Sequence, residues 1–229
     1  MKALFAAFLL ALIPGLSHAA EFTSHDQMVK AVAEQAQTGT LLFSQGDCVA
    51  VKVFSGSPYT HVAAVVVEHG VPYVYDSSNG YGVRKQPLSE YIEFLAPSEL
   101  HVLQPVFRFN DKLTEPYAAK LKSEIGRPYA VKHHLSGERC AGLHCAEYVT
   151  DALMASDIIR AKNPTRVSPA SLLQGIRQAD LYRESLTLTL HVPDSRSESS
   201  DSWCGQLWIE TKVCTKDFCS MLSRKILCR

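Results

Sequence analysis

Cys145 is the residue best placed in the sequence to act as a nucleophile. The apolar pattern of residues 145–154 is helical and puts Cys145 at or beside a helix N-terminus. A thiol in that position meets the positive end of the helix dipole, which lowers its pKa and enriches the reactive thiolate. A disulfide with Cys140 or Cys48 is the alternative interpretation of this residue.

A cysteine nucleophile needs a base, and the base usually needs a group that orients it. His61 begins a run of β-branched residues and alanines, which a turn at residues 69–70 returns as a second strand over residues 71–76. Asp76 closes that second strand, so we expect the hairpin to bring its carboxylate to the imidazole of His61. The alternative is that His61 is an ordinary hydrogen-bonded histidine at a strand start.

The other histidines do not suggest a metal site. His133 and His134 are adjacent and point in divergent directions, and no carboxylate motif accompanies them or His144. His69 lies in the predicted turn, where we expect it to be exposed. The sequence therefore predicts no metal and no cofactor.

Short elements must position these side chains. Helices are predicted at 24–37, from about 113 to 126, at 145–154 and from 168 to 176, with a shorter one at 89–95. Strands are predicted at 40–43, up to 53, and at 61–67, 71–76, 101–109 and 186–190, and residues 77–80 as a loop. Pro105 indicates an edge position or a bulge. The inner face of the first helix is predicted to be Met28, Val29, Val32 and Ala33.

The N-terminus has the pattern of a secretory signal peptide, predicted over residues 1–19. Lys2 precedes an apolar run over 3–12, a Pro-Gly pair, and a Ser-His-Ala end with small residues at its first and third places. The run is shorter than the roughly 20 residues that a membrane-spanning helix needs, and no later stretch comes closer. We expect an exported protein, periplasmic or secreted, with no membrane span.

Export favours disulfides among the other cysteines. Seven is an odd number, so at least one cysteine has no partner within the chain. Pairing Cys48 with Cys140, and closing the tail cysteines on one another, would leave Cys145 as the odd thiol. Zinc is the weaker alternative for the tail cysteines because they lack C-x-x-C spacing. These tail cysteines are Cys204, Cys214, Cys219 and Cys228.

Three regions are predicted after the signal peptide. Residues 20–192 form the main domain. Residues 193–202 contain only Pro, Asp, Ser, Arg and Glu, a composition typical of a linker. Residues 203–229 have too little apolar area for a separate core and are predicted to hold their shape through disulfides.

Composition excludes some classes of partner. Of the 229 residues, 46% are hydrophobic, which is enough to fill a core. The 23 Lys and Arg residues balance 23 Asp and Glu residues, so no basic field attracts nucleic acid.

The order of the motifs resembles a known family, the circularly permuted NlpC-type papain-like cysteine hydrolases, and within it the YiiX-like subgroup. In that subgroup a G-D strand precedes a strand that begins with histidine, its hairpin partner ends in an acidic residue, and the nucleophile follows in a C-S-E-hydrophobic motif. The matching segments, in chain order, are Gln45-Gly46-Asp47, Thr60-His61-Val62-Ala63, Tyr73-Val74-Tyr75-Asp76, Gly126-Arg127-Pro128-Tyr129, Leu143-His144-Cys145-Ala146-Glu147 and Ser168-Pro169-Ala170-Ser171-Leu172.

The resemblance implies an α+β fold of the permuted papain-like type, an antiparallel sheet packed against helices, to which the disulfide-rich tail is added. It implies His61 as base, Asp76 as orienting acid and Cys145 as nucleophile, with hydrolysis of an amide or ester through a thioester acyl-enzyme. For an exported member, the favoured substrate is peptidoglycan stem peptide, in wall remodelling or as an antibacterial effector. The second role would bring an inhibitor or immunity protein as partner.

This chain differs from the family pattern at three positions. Asp76 stands where glutamate is more usual, Ala146 where serine is common, and His144 where an aromatic residue is usual. The order of histidine before cysteine is shared with the lecithin retinol acyltransferase group, so a lipid-directed acylhydrolase or acyltransferase is the first alternative. A non-catalytic secreted binding protein, with the cysteines used only in bridges, is the second.

Overall fold

The computed structural model describes residues 18–44, 57, 59–95, 99–130 and 137–190. Their helices are α1 (His25–Gln35), α2 (Leu88–Leu95), α3 (Asp111–Ser123), α4 (Cys145–Ala155) and α5 (Pro169–Gln178), with a 3₁₀ turn at Pro164–Arg166. Their strands are β1 (His18–Phe22), β2 (Leu41–Ser44), β3 (His61–Glu68), β4 (Val71–Ser78), β5 (Gly82–Pro87), β6 (Glu99–Pro105) and β7 (Tyr182–Leu190).

One sheet in the order β1-β7-β6-β2-β3-β4-β5 organises these elements. The strands from β7 to β5 pair in antiparallel fashion, as expected for the α+β fold. Strand β1 pairs with β7 in parallel. Its first two residues belong to the segment predicted as a signal peptide, so the expected cleavage after Ala19 would shorten this edge strand.

The sheet buries both faces because its central strands are apolar at every position rather than at alternate ones. One face carries Leu41, Phe43, Val62, Ala64 and Tyr75 and packs against α4 and α5. The opposite face carries Leu42, Ala63, Val65, Val74 and Leu100 and packs against α1 and α2. The prediction for α1 is correct at the buried Met28 and Val32 and at the half-buried Val29, but wrong at Ala33, which is exposed.

Helix N-termini form where capping side chains satisfy the free backbone N–H groups. The Ser24 hydroxyl accepts a hydrogen bond from the Gln27 N–H, which confirms the predicted start of α1. Ser168 and Ser171 form a capping box ahead of α5, also at the predicted place. Helix α3 begins earlier than predicted because Asn110 caps it, so Pro116 lies inside the helix rather than in its first turn.

The predicted loop over residues 77–80 is wrong in part. Strand β4 continues to Ser78, and a further strand, β5, follows it. Strand β5 escaped prediction because Arg84, Lys85 and Gln86 occupy its middle and give no apolar alternation. Strand β6 ends at Pro105 rather than at residue 109. It lies inside the sheet between β7 and β2, so the predicted edge position is wrong, and the irregularity in its pairing falls between Val102 and Leu103 rather than at Pro105.

Several predictions concern residues outside the described ranges. They are the strand before residue 53, Cys48, the linker over 193–202 and the tail with its four cysteines. Within the described ranges, none of the helices combines the length and the apolar character needed to cross a membrane.

Gly82 fixes the hairpin of β4 and β5 against the segment that leads to Cys145. Its φ is +74°, and a Cβ added there would lie 2.3 Å from the carbonyl oxygen of Arg127. The substitution Gly82→Ala therefore combines backbone strain with a clash against backbone atoms, and we expect it to lower the free energy of unfolding by about 2–3 kcal/mol. Urea denaturation measures this. Gly70→Ala, at a position with similar φ and open space around it, is the control and should cost clearly less.

The main domain should fold without the tail. Every described element ends by Leu190, and within the described residues the core clusters are built from the part of the chain before that point. We expect the chain truncated after Val192 to keep the far-ultraviolet circular dichroism of the main domain and a cooperative thermal transition. A truncated chain that is unfolded would place the tail inside the domain and contradict the boundary at residues 193–202.

Candidate active site

Cys145 is the first residue of helix α4 and lies in the core. Only 2% of its surface is exposed, and its sulfur lies 3.9 Å from the carbonyl oxygen of Thr60. It forms no disulfide. The alternative prediction of a bridge from Cys145 to Cys140 or Cys48 is therefore wrong.

The residue before the thiol caps the helix. The Nδ1 atom of His144 accepts a hydrogen bond from the N–H of Glu147 at 3.3 Å, and Nε2 lies 3.0 Å from the carbonyl oxygen of Thr165. Because Nδ1 accepts, this pattern assigns the proton to Nε2, which donates to Thr165. His144 thus ties the start of α4 to the 3₁₀ turn, a capping role that the sequence analysis missed.

His61 and Asp76 lie on the same face of the β3–β4 hairpin, at its open end. The register that pairs Ala64 with Tyr75 places Asp76 opposite residue 63, one step along the face from His61. The Nε2 atom of His61 lies 3.5 Å from Oδ2 of Asp76, and both side chains are buried. The ring of His61 stacks on Tyr91 of α2 with 6.3 Å between centroids.

The second oxygen of Asp76 is held by strand β5. Its Oδ1 accepts hydrogen bonds from Nε of Arg84 at 3.0 Å and from Nε2 of Gln86 at 3.4 Å. Arg84 stands directly opposite Asp76 in the pairing of the two strands. Neither partner was predicted from the sequence, because the pattern of residues 82–87 indicates no strand. The next residue, Ser77, faces the other way and donates its hydroxyl to the carbonyl of Leu143 at 2.7 Å, which docks β4 beside the cysteine.

The charges of these groups reinforce one another. Burial raises the pKa of the Cys145 thiol, but the neighbouring His144 and His61 outweigh it and lower the pKa to about 6. Burial lowers the pKa of His61, and the neighbouring Asp76 and Cys145 raise it to about 10. Burial also raises the pKa of Asp76, while His61 and Arg84 hold it below its usual value. At neutral pH the site therefore holds a thiolate, an imidazolium and a carboxylate.

The remaining candidates lie elsewhere. His69 is exposed in the turn, as expected, and Cys140 is exposed in the segment before α4. His133 and His134 fall outside the described residues. Where the chain is described, no three His, Cys, Asp or Glu side chains are grouped closely enough to bind one metal ion.

The antiparallel sheet, the buried cysteine at the start of α4 and the histidine at the start of β3 are the arrangement expected from the resemblance to papain-like hydrolases. Residues 35–191 match the model of the permuted papain-like amidase enzymes, the YaeF/YiiX or C92 family. The match covers more than half of the chain, and the protein belongs to this family. The predicted resemblance is thereby confirmed, and with it the class of hydrolase.

The comparison with solved structures found the crystal structure of the metalloprotein yiiX from Escherichia coli O157:H7, described as DUF1105. Its sequence is 19% identical, the alignment covers 72% of this chain and 93% of that chain, and the TM-score is 0.48. The comparison with curated proteins gave no match.

The lowered thiol pKa makes Cys145 reactive at neutral pH. Alkylation by iodoacetamide follows the thiolate fraction, so its rate should rise with pH through a midpoint near 6 and level off above it. His61→Ala removes one of the two histidines that lower the thiol pKa and leaves the burial, so its midpoint should rise above that of the wild type. A wild-type midpoint above 8 would contradict the ion pair. His69→Asn, which alters the exposed turn histidine, is the matched control.

Proposed function

We propose that this protein is a cysteine amidase whose nucleophile is Cys145, whose base is His61 and whose orienting acid is Asp76. The observation that carries the proposal is the placement of the buried thiol at the start of α4 beside the start of β3: its sulfur lies 3.9 Å from the carbonyl oxygen of Thr60, and the next residue, His61, lies 3.5 Å from the Asp76 carboxylate. Burying a thiolate and an imidazolium costs folding free energy. A role in covalent catalysis accounts for the presence of this pair in the core.

The proposed reaction has two steps. The Cys145 thiolate attacks the carbonyl carbon of the amide, and the N–H groups at the start of α4 stabilise the negative charge on the carbonyl oxygen. The imidazolium of His61 gives its proton to the leaving nitrogen, the C–N bond breaks, and a thioester remains. His61 then takes a proton from water, the hydroxide attacks the thioester, and the acid product leaves with the thiolate restored.

Asp76 stays ionised throughout this sequence. Its Oδ2 faces Nε2 of His61, which leaves Nδ1 of the ring for the sulfur. A carboxylate in this position holds one orientation of the imidazole and stabilises the imidazolium, without itself taking the proton. Tyr91 limits rotation of the ring from the opposite side of the site.

The proposed substrate is the stem peptide of peptidoglycan. Membership of an amidase family supports an amide substrate, and the predicted signal peptide would deliver the enzyme to the compartment where wall peptides are accessible. In that compartment the enzyme would serve wall remodelling or act on a competing cell. The same nucleophile attacks esters, so lipid acyl groups are the substrate class that the test must separate from wall peptides.

Cys145→Ala should reduce hydrolysis below about one per cent of the wild-type rate while the fold is kept, because the change removes the nucleophile and little volume. His61→Ala should lower the rate of hydrolysis nearly as much.

Asp76→Asn should lower kcat by less than either change, about tenfold, because the Asp76 carboxylate acts through the imidazole. The exposed His69→Asn is the control and should keep full activity. Residual activity in Cys145→Ala above that limit would remove Cys145 from the mechanism.

The substrate is tested by incubating the full chain with purified peptidoglycan and, separately, with phospholipid vesicles. Mass spectrometry of the products identifies the bond that is cut. New amines and carboxylates from wall peptide, absent with Cys145→Ala, would support the proposal. Release of fatty acid from vesicles, with peptidoglycan unchanged, would move the protein to the lipid-directed class.

A further inference from the structure

Arg84 lies behind the proposed triad rather than in it. Its Nε atom donates to Oδ1 of Asp76 at 3.0 Å, and the Asp76 side chain is only 1% exposed. The two residues are direct partners in the β4–β5 register. The guanidinium is therefore built into the sheet as the counter-ion of a buried carboxylate.

Two aromatic rings hold the guanidinium in place. Its central carbon lies 3.9 Å from the ring centroid of Phe94 on α2 and 4.9 Å from that of Tyr81 in the β4–β5 turn. The rings also contact each other edge to face, with centroids 4.8 Å apart. Planar guanidinium stacks well on ring faces, and such contacts retain the cation without a second carboxylate.

The two ion pairs of Asp76 differ in the distance between their charged atoms. The bond to Arg84 is a charge-assisted hydrogen bond of ordinary length, whereas the His61 contact at 3.5 Å is longer than one. The orientation of the carboxylate is thus set from β5. Asp76 also has a shorter reach than the glutamate more usual in the related motif, so a small rotation of its carboxylate would carry Oδ2 out of reach of the imidazole.

We propose that Arg84 is a positioning residue for the reaction, which fixes the Asp76 carboxylate in the orientation that supports His61. This inference rests on the proposed function and deepens it. Gln86 assists from the same strand through its 3.4 Å contact with Oδ1. Phe94 and Tyr81 act one step further out, because they keep Arg84 against Asp76.

A positioning role and a purely electrostatic role give opposite pH effects. The titratable and charged groups that lie near Asp76 are His61 on β3, Arg84 on β5, Tyr91 on α2 and Tyr148 on α4. Those that lie near the Cys145 thiol are His61 and His144. If Arg84 only screened Asp76, its loss would strengthen the attraction of the carboxylate for the imidazolium. If Arg84 positions Asp76, its loss turns the carboxylate away, and both the imidazolium and the thiolate lose stabilisation.

Arg84→Gln therefore tests the proposal. We expect kcat to fall about tenfold with KM little changed, and the pH midpoint of Cys145 alkylation to rise by about one unit. Asp76→Asn should shift the midpoint in the same direction, and the double variant should be no worse than Asp76→Asn alone, because Arg84 acts through Asp76. Additive losses, an unchanged midpoint or a midpoint that falls would each overturn the proposal.

Lys85→Gln is the matched control on the same strand. Lys85 forms an ion pair with Glu68 at 2.6 Å and lies 3.9 Å from the ring centroid of Tyr73, so the change removes the same two kinds of contact away from the site. We expect this variant to lose some stability and to keep the wild-type kcat and alkylation midpoint. A loss of kcat as large as that of Arg84→Gln would show that any damage to β5 has this effect, and would overturn the proposal.

Arg84→Lys and Phe94→Leu keep the test decisive if Arg84→Gln fails to fold. Lysine keeps the charge without the planar fork, and leucine removes the ring but fills much of its space, so each should give a smaller loss of kcat and a smaller upward shift of the midpoint. Wild-type values in both would overturn the proposal. Measuring the alkylation midpoint needs no substrate. It therefore tests the positioning role of Arg84 even if no amidase activity is found.

Discussion

The buried carboxylate of Asp76 is the charge on which the arrangement of this molecule depends. Removing a carboxylate from water costs several kcal/mol unless donors replace the water, and here the donors come from β3 and β5 while the carboxylate stands on β4. All three strands must therefore keep one register. A slip of β4 by one residue would turn Asp76 toward the apolar face that packs against α4 and would leave Arg84 unpaired. The charge cluster thus specifies the sheet as well as the site.

The candidate site also depends on the position of helix α4, because the first residue of this helix places the thiol at the end of the sheet. All nine residues from Cys145 to Leu153 are buried, including Glu147 and Asp151. Arg139 lies 2.6 Å from Asp151 and 3.9 Å from Glu147, and the hydroxyl of Tyr148 donates to the carbonyl of Leu121 at 2.6 Å. These contacts fix the orientation of α4 about its own axis. They therefore also fix the direction of its first residue, Cys145.

The parts of the site that depend on local periodicity could be predicted from the sequence. The hairpin from His61 to Asp76 has an unbroken apolar first strand and a turn at His69, whose φ of +53° suits the start of a tight turn. The helix start at Cys145 follows from apolar spacing alone. The parts that depend on tertiary pairing could not be predicted: β5 has charged residues at its centre, and its pairing with β4, rather than its own sequence pattern, makes it a strand. Arg84 was missed for that reason. The cap at His144 was missed because histidine is an uncommon capping residue.

The four groups form a chain of alternating charge, from the Cys145 thiolate through the His61 imidazolium and the Asp76 carboxylate to the Arg84 guanidinium. Each inner member has an opposite charge on both sides. Each end member has one opposite charge and one uncharged partner, a helix dipole or aromatic rings. The thiolate lies at the positive end of the α4 dipole, and the guanidinium lies on the electron-rich faces of two rings. Such a chain of groups carries no net charge. The attraction between neighbouring opposite charges therefore offsets the free energy that is lost when the charges are removed from water. Removing one inner member would leave two like charges without the group that separates them. The surroundings of Cys145 therefore depend on a strand that the thiol does not contact.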